Sequence, residues 1–230
     1  MLRVVGYFES WAKDRPCEVF NPEDIPIGLY THINFAFGSI NPETFQLEAN
    51  TPEDKLAYER LTFLKKRDKN LKIYLAVGGW TFNDPGRTAH IFSELAASSI
   101  HQHAFQESVE SFLTTYNFDG LDLDWEYPVD DKRGGRERDY ITFPKFMTKL
   151  KRRMNIADKG LTITLPASYW YLQYFDIKNL VSLTVVERRL QLTKFRKTRL
   201  TSSTLCLTTC TARGTRMSIG PSPISTPTPT

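Results

Sequence analysis

Cysteine is scarce in this 230-residue chain, and the three present, Cys17, Cys206 and Cys210, are odd in number, so no disulfide framework follows from them. Cys206 and Cys210 lack the further ligands that a zinc site needs. Long apolar runs are also missing. None approaches the roughly 18 residues that would span a bilayer, so no membrane partner is expected. Met1-Leu2-Arg3 leads straight into strand-like residues with no signal peptide, so either export information is missing from this N-terminus or the chain stays inside the cell. A surplus of one charge is lacking as well. The net charge of +4 is small and spread along the chain, which argues against a nucleic-acid partner. The basic groups Lys65 to Arg67 and Lys151 to Arg153 sit in helical patterns and read as solvated faces. There is no G-x-x-x-x-G-K-[ST] and no G-x-G-x-x-G, so the sequence offers no nucleotide cradle.

What is present suits a globular protein. A 40% hydrophobic and 13% aromatic content provides for a substantial core, expected in one domain. Residues 3–10 read as a short strand ending in Tyr7 and Phe8. A second strand runs from Tyr30 to Ile40, with Ile33, Phe35 and Phe37 on one face. Thr51-Pro52-Glu53-Asp54 has the form of a helix start with a hydroxyl cap. Lys72 to Val77 is a nearly unbroken apolar run, as a strand covered on both faces requires. Phe105, Val109, Phe112, Leu113 and Tyr116 recur at helical spacing, as do Phe143, Met147, Leu150 and Met154. Gly160 opens another strand, L-T-I-T-L-P-A. Strands alternating with helices predict an α/β fold with a parallel sheet, and periodicity alone does not separate a barrel from a doubly wound sheet.

The stretch from Phe118 to Pro128, F-D-G-L-D-L-D-W-E-Y-P, carries the chemistry. Leu121, Leu123 and Trp125 alternate with Asp122, Asp124 and Glu126, the period of two expected of a β-strand. Three acids and Gly120 therefore share one face, and Asp119 points the other way. Stacked carboxylates repel, and burying them costs several kcal/mol unless they are paired or neutralised. Their crowding toward the C-terminal end of the strand, where parallel α/β folds place their chemistry, marks a catalytic cluster.

The spacing D-x-x-D-x-D-x-E from Asp119 to Glu126 resembles the signature of the family 18 glycoside hydrolases, the chitinases and their relatives. Val5 to Trp11 (V-G-Y-F-E-S-W), His32 to Phe37 (H-I-N-F-A-F) and Gly78 to Asp84 (G-G-W-T-F-N-D) are similar to further family motifs. The likeness is to fungal chitinases of the type that often carry chitin-binding modules, and it runs from about residue 3 to residue 180.

That resemblance implies a (β/α)8 TIM barrel, of which residues 1–180 would supply about the first five strands. It also implies an extracellular, monomeric enzyme that needs no metal or other cofactor and takes chitin or N-acetylglucosamine oligosaccharides as its partner. Glu126 would be the general acid, its pKa raised by neighbouring carboxylates and partial burial. Asp124 would orient the sugar's acetamide, Asp122 would share a proton with Asp124, and Asp119 would play a supporting part. Sugar rings stack on aromatic side chains, which makes Tyr7, Phe35, Trp80, Tyr127, Tyr169 and Trp170 candidate substrate contacts, Trp80 and Tyr127 foremost. Gly79, beside Gly78, would allow close backbone approach. Where the family often has serine this chain has Ala76, one hydroxyl fewer beneath the aspartates. Alternatives stay open: a carbohydrate-binding lectin on the same fold, an endo-β-N-acetylglucosaminidase acting on glycoproteins, or an inactive truncated product. A Mg²⁺ or Ca²⁺ reading of the acids would call for further oxygen ligands and a phosphate cradle.

Residues 181–230 differ in kind. Thr, Ser, Arg and Pro dominate, and the final P-S-P-I-S-T-P-T-P-T reads as disordered. Thr201 to Pro221 is compatible with a second reading frame that spells D-F-V-N-L-V-S-Y-D-L-H-G-T-W-D-E-D-E-H-W-S, similar to the family's sixth strand. Val181-Ser182 fits GTAAGT, and Arg196 can begin with AG. The expectation is a retained intron and a shifted frame, leaving an open sheet in a chain that is unstable or inactive; transcript sequencing tests it.

Overall fold

The computed structural model describes residues 3–181 and 185–188. Its strands and main helices follow in chain order as β1 (Val5–Glu9), β2 (His32–Ile40), β3 (Leu47–Ala49), α1 (Asp54–Phe63), β4 (Lys72–Gly78), α2 (Ile91–Ala97), α3 (Ser99–Thr115), β5 (Gly120–Asp124), α4 (Asp139–Ile156), β6 (Gly160–Leu165), α5 (Tyr169–Leu172), α6 (Ile177–Val181) and β7 (Val185–Arg188). The strand order is β1-β2-β4-β5-β6-β7, all parallel, with β3 added antiparallel to β2. This is the leading arc of a (β/α)8 barrel. The sequence reading counted about five strands and a tail from residue 181. The sheet instead continues into β7, paired with β6 from Thr162↔Val185 to Leu165↔Arg188. The expected disorder of the remaining tail lies outside the described residues.

Curvature follows from one contact. β1 and β5 stand three places apart in the sheet, which at ~4.8 Å per strand would separate them by roughly 14 Å if the sheet were flat. Yet the Tyr7 hydroxyl lies 2.8 Å from Asp122 Oδ2. The sheet is therefore rolled toward Tyr7, Asp122 and Asp124. Its outer face carries Phe8, Ile33, Phe35, Ile73, Leu75, Val77, Leu121, Leu123, Leu161 and Ile163. These pack into one core with Tyr58 and Leu61 of α1, Phe105 and Val109 of α3, and Phe143, Met147, Leu150 and Met154 of α4. Both predicted apolar helix stripes thus face the sheet.

One local expectation changes. α1 begins at Asp54 with no side-chain cap; instead the Asp54 carboxylate accepts from the Thr51 main-chain N at 2.9 Å, the reverse half of a capping box. Gly120 and Gly160 are register partners, and Tyr74 lies across both. A Cβ at Gly160 would come within 1.8 Å of the Tyr74 hydroxyl oxygen, so the missing side chains make room for this ring. Among the described residues no helix is long and apolar enough to cross a membrane.

Candidate active site

Asp122 and Asp124 end β5, with Glu126 two residues beyond. All three are buried, at 0%, 1% and 6% exposure. Trp125 points the other way, stacked on Phe92 and edge-on to Phe143. That contact pins the alternation at the end of the strand, which keeps Glu126 on the side of the aspartates.

Asp122 sits in a cradle of hydroxyls. Thr162 donates to its Oδ1 at 2.6 Å, and Tyr7 and Thr164 reach its Oδ2 at 2.8 and 3.1 Å. Tyr7 and Thr164 also touch each other, at 2.9 Å. Ala76 is the β4 partner of Asp122. The hydroxyl missing there is offset by three from β1 and β6. Burial, followed by the charges of Asp122 and Asp124, pushes the Tyr7 phenol well above its ordinary pKa, so it stays a proton donor. Tyr7 thus supports an aspartate; it is not a bare stacking surface.

Glu126 is held through its main chain. Its N–H donates to Asn83 Oδ1 at 3.4 Å, and Arg133 Nε donates to its carbonyl at 3.1 Å. Asn83 is fully buried and is tied in turn to the Ala89 carbonyl. Tyr127 has its phenol pKa raised by burial, by the charge of Glu126 and by a hydrogen bond to Glu126. The Glu126–Tyr127 peptide bond is cis, as is Ala36–Phe37.

A cleft of about 300 Å³ opens here, lined by Asp124, Glu126, Tyr127, Thr164, the turn Pro166 to Ser168, and Tyr171. Tyr127 and Tyr171 stack with ring centroids 4.2 Å apart. A hollow of about 380 Å³ lies on the far side, around Lys65, Lys66, Lys69 and Asn117, away from the acid cluster. The smaller cleft holds Asp124 and Glu126, which makes it the candidate site.

The remaining candidates divide. Trp80 is half exposed and outside the cleft lining, with the Arg133 guanidinium 3.7 Å from its ring centroid. Phe35 is corrected: it is fully buried and packs edge-on against Tyr58, on the outer face of the sheet. Its parity with Ile33 puts it there. The register then shifts between Ala36 and Gly38, and Phe37 turns to the other side, where it stacks on Trp11 and meets Gly79. Gly79 makes a close approach, but to protein: its N–H donates to the Asp124 carbonyl at 2.8 Å, and a Cβ would fall 2.7 Å from the Phe37 ring. Tyr169 and Trp170 stand on α5, exposed and outside the cleft lining; Tyr171 of that helix takes the place in it. Asp119 lies at the opposite end of β5, where its Oδ2 accepts from Ile73 N at 2.9 Å and Lys65 Nζ at 3.0 Å. It joins strands. Sequence reading missed Thr162, Thr164, Asn83, Tyr171 and Arg133. Only the two threonines had a signal, as alternating hydroxyls in an otherwise apolar strand.

Known proteins resemble this chain in sequence and in fold. The Endochitinase of Manduca sexta is 35% identical over 166 residues, covering 70% of this chain and 29% of that protein. The Probable chitinase LysM18 of Penicillium expansum is 32% identical over 185 residues, 79% of this chain and 12% of its own length. The chain therefore spans under a third of either relative. Among solved structures, the Ostrinia furnacalis Group IV chitinase in complex with allosamidin superposes with a TM-score of 0.73 at 29% identity, covering 81% of this chain and 50% of that one. The sequence profile of Glycosyl hydrolases family 18 matches residues 3–185, and the chain belongs to that family.

Proposed function

We propose that this chain is part of an enzyme that hydrolyses β-1,4 linkages between N-acetylglucosamine units of chitin, with Glu126 as general acid. One observation carries the reading: Glu126 lines the cleft, two residues beyond a buried pair of aspartates on the same face. The acid protonates the leaving glycosidic oxygen. Nucleophilic help comes from the substrate, whose N-acetyl carbonyl attacks the anomeric carbon to give an oxazolinium ion that water opens with retention of configuration. Asp124 accepts a hydrogen bond from the acetamide N–H and stabilises the charge that grows on it. Asp122, held by its three hydroxyls, shares a proton with Asp124 and lets it turn between Asp122 and the sugar. Tyr127 and Tyr171 offer an aromatic wall for the sugar's C–H face.

A lectin on this fold does not require the acid at position 126, so its presence favours the enzyme. Glu126→Gln should lower turnover of chitohexaose by several orders of magnitude and leave its binding largely unchanged. Retention of more than a few per cent of wild-type rate would remove Glu126 from the role. Cleavage of a glycoprotein but not of chitohexaose would favour the endo-β-N-acetylglucosaminidase reading.

A further inference from the structure

Arg133 makes more contacts than a loop residue needs. It lies in the turn after β5, is only 9% exposed, and reaches into two separate segments. Toward β5 it donates from Nε to the Glu126 carbonyl at 3.1 Å. Toward the loop after β4 it donates from one terminal nitrogen to Asp84 Oδ1 at 2.7 Å and from the other to the Trp80 carbonyl. The guanidinium plane also covers one face of the Trp80 indole, 3.7 Å from its centroid. All three nitrogens are engaged and the group lies over the ring. A lysine, with a single point charge, could not reproduce this.

The loop is built to hold that geometry. Gly134 has φ +75°, and a Cβ there would lie 2.0 Å from the Ala89 carbonyl oxygen; its own carbonyl meets His90 Nδ1 at 2.9 Å. A Cβ on Gly135 would lie 2.7 Å from the main-chain N of both Val129 and Asp130. Both glycines follow Arg133 directly, so the chain cannot drift without lifting the guanidinium.

We propose that Arg133 is a positioning residue that fixes Trp80 as an aromatic platform with a single open face and ties that platform to the main chain of Glu126. The inference rests on the proposed function and adds a determinant of substrate placement to it. With one ring face under the guanidinium, a sugar can stack only on the other. Its position relative to the acid is then set by one rigid group and not by two independent loops. A merely structural ion pair with Asp84 would need neither the stack nor the bond to Glu126.

The test is a double-mutant cycle on chitohexaose, with KM and kcat read separately. Trp80→Ala should raise KM by about tenfold with kcat changed less than about threefold. Arg133→Lys should raise KM by a similar factor alone, yet add less than about twofold in the Trp80→Ala background, because the platform it positions is gone. A full additional tenfold in that background, or a wild-type KM for Arg133→Lys, overturns the proposal. If the wild-type chain does not turn over chitohexaose, hydrolysis by this chain on its own is excluded, and the same cycle read as Kd by calorimetry still decides Arg133. If Arg133→Lys does not fold, NMR of the wild-type chain decides. The Arg133 Nε–H should be shifted upfield by the indole ring and should move again on saturation with chitohexaose; no response to a sugar that binds overturns the proposal.

Discussion

The Thr162 hydroxyl donates to Asp122 Oδ1 at 2.6 Å, and the two residues are direct partners in the β5–β6 register. Register thus delivers the donor without any loop having to fold correctly first. A fully buried carboxylate is tolerable only when its lone pairs are occupied, and Thr162, Thr164 and Tyr7 do this with neutral hydroxyls.

Thr162→Val keeps the shape and strand preference but deletes that donor. The expected cost is about 1–3 kcal/mol in urea unfolding, the usual range for leaving a buried acceptor short of a partner. An unchanged midpoint and slope would show that Asp122 recovers the bond elsewhere.

Tyr7→Phe removes the other short contact to Asp122. Because the Tyr7 phenol is pushed well above its ordinary pKa, it does not titrate in the working range of a hydrolase. The variant should therefore lower kcat roughly tenfold for one lost orienting hydrogen bond, with no alkaline limb that belongs to the phenol. A loss confined to the alkaline limb of the profile would contradict this.

Gly78→Ala should be among the most damaging single-methyl changes in the chain. Gly78 has φ +110°, and a Cβ would sit 2.2 Å from the Asp124 carbonyl oxygen, a main-chain atom with no rotamer to yield. Strained backbone and overpacking together should cost more than about 3 kcal/mol. Gly86→Ala is the control: its nearest neighbour would be 3.8 Å away, and its stability should stay within about 0.5 kcal/mol of wild type. Similar melting temperatures for the two variants would refute the argument.

The acid row was legible because period-two alternation is a local property, and parity alone puts Asp122, Asp124 and Glu126 on one face. Parity misled at β2 when carried to the site. Phe35 shares the outer face with Ile33, and the register shift after Ala36 hands the inner position to Phe37. No residue type announces such a shift. Tyr7 was found, but its role depends on the curvature that carries β1 across to Asp122, which is a property of the whole sheet. Asn83, Arg133 and Tyr171 come from loops and a four-residue helix, where contacts are not periodic and position in the sequence says little about proximity.

His32, at the opposite end of the sheet, gives the chain a pH-dependent stability of defined sign. It is 9% exposed, accepts or donates a hydrogen bond with the Thr31 hydroxyl at 2.9 Å and meets the edge of Tyr74. Burial, helped by the charges of Arg3 and Lys72 and opposed by Asp119, lowers its pKa from the ordinary value of 6.5 to about 4. Between those values the unfolded chain holds the extra proton, so stability rises with pH across this window. His32's contribution is fully present above pH 6.5 and is lost as the pH falls toward 4. The shift corresponds to no more than about 3 kcal/mol, less where water screens the ring. His32→Asn cannot titrate and should flatten the stability curve between pH 4 and 6.5. Parallel curves for wild type and variant across that window, measured by urea unfolding, would show that another group carries the dependence.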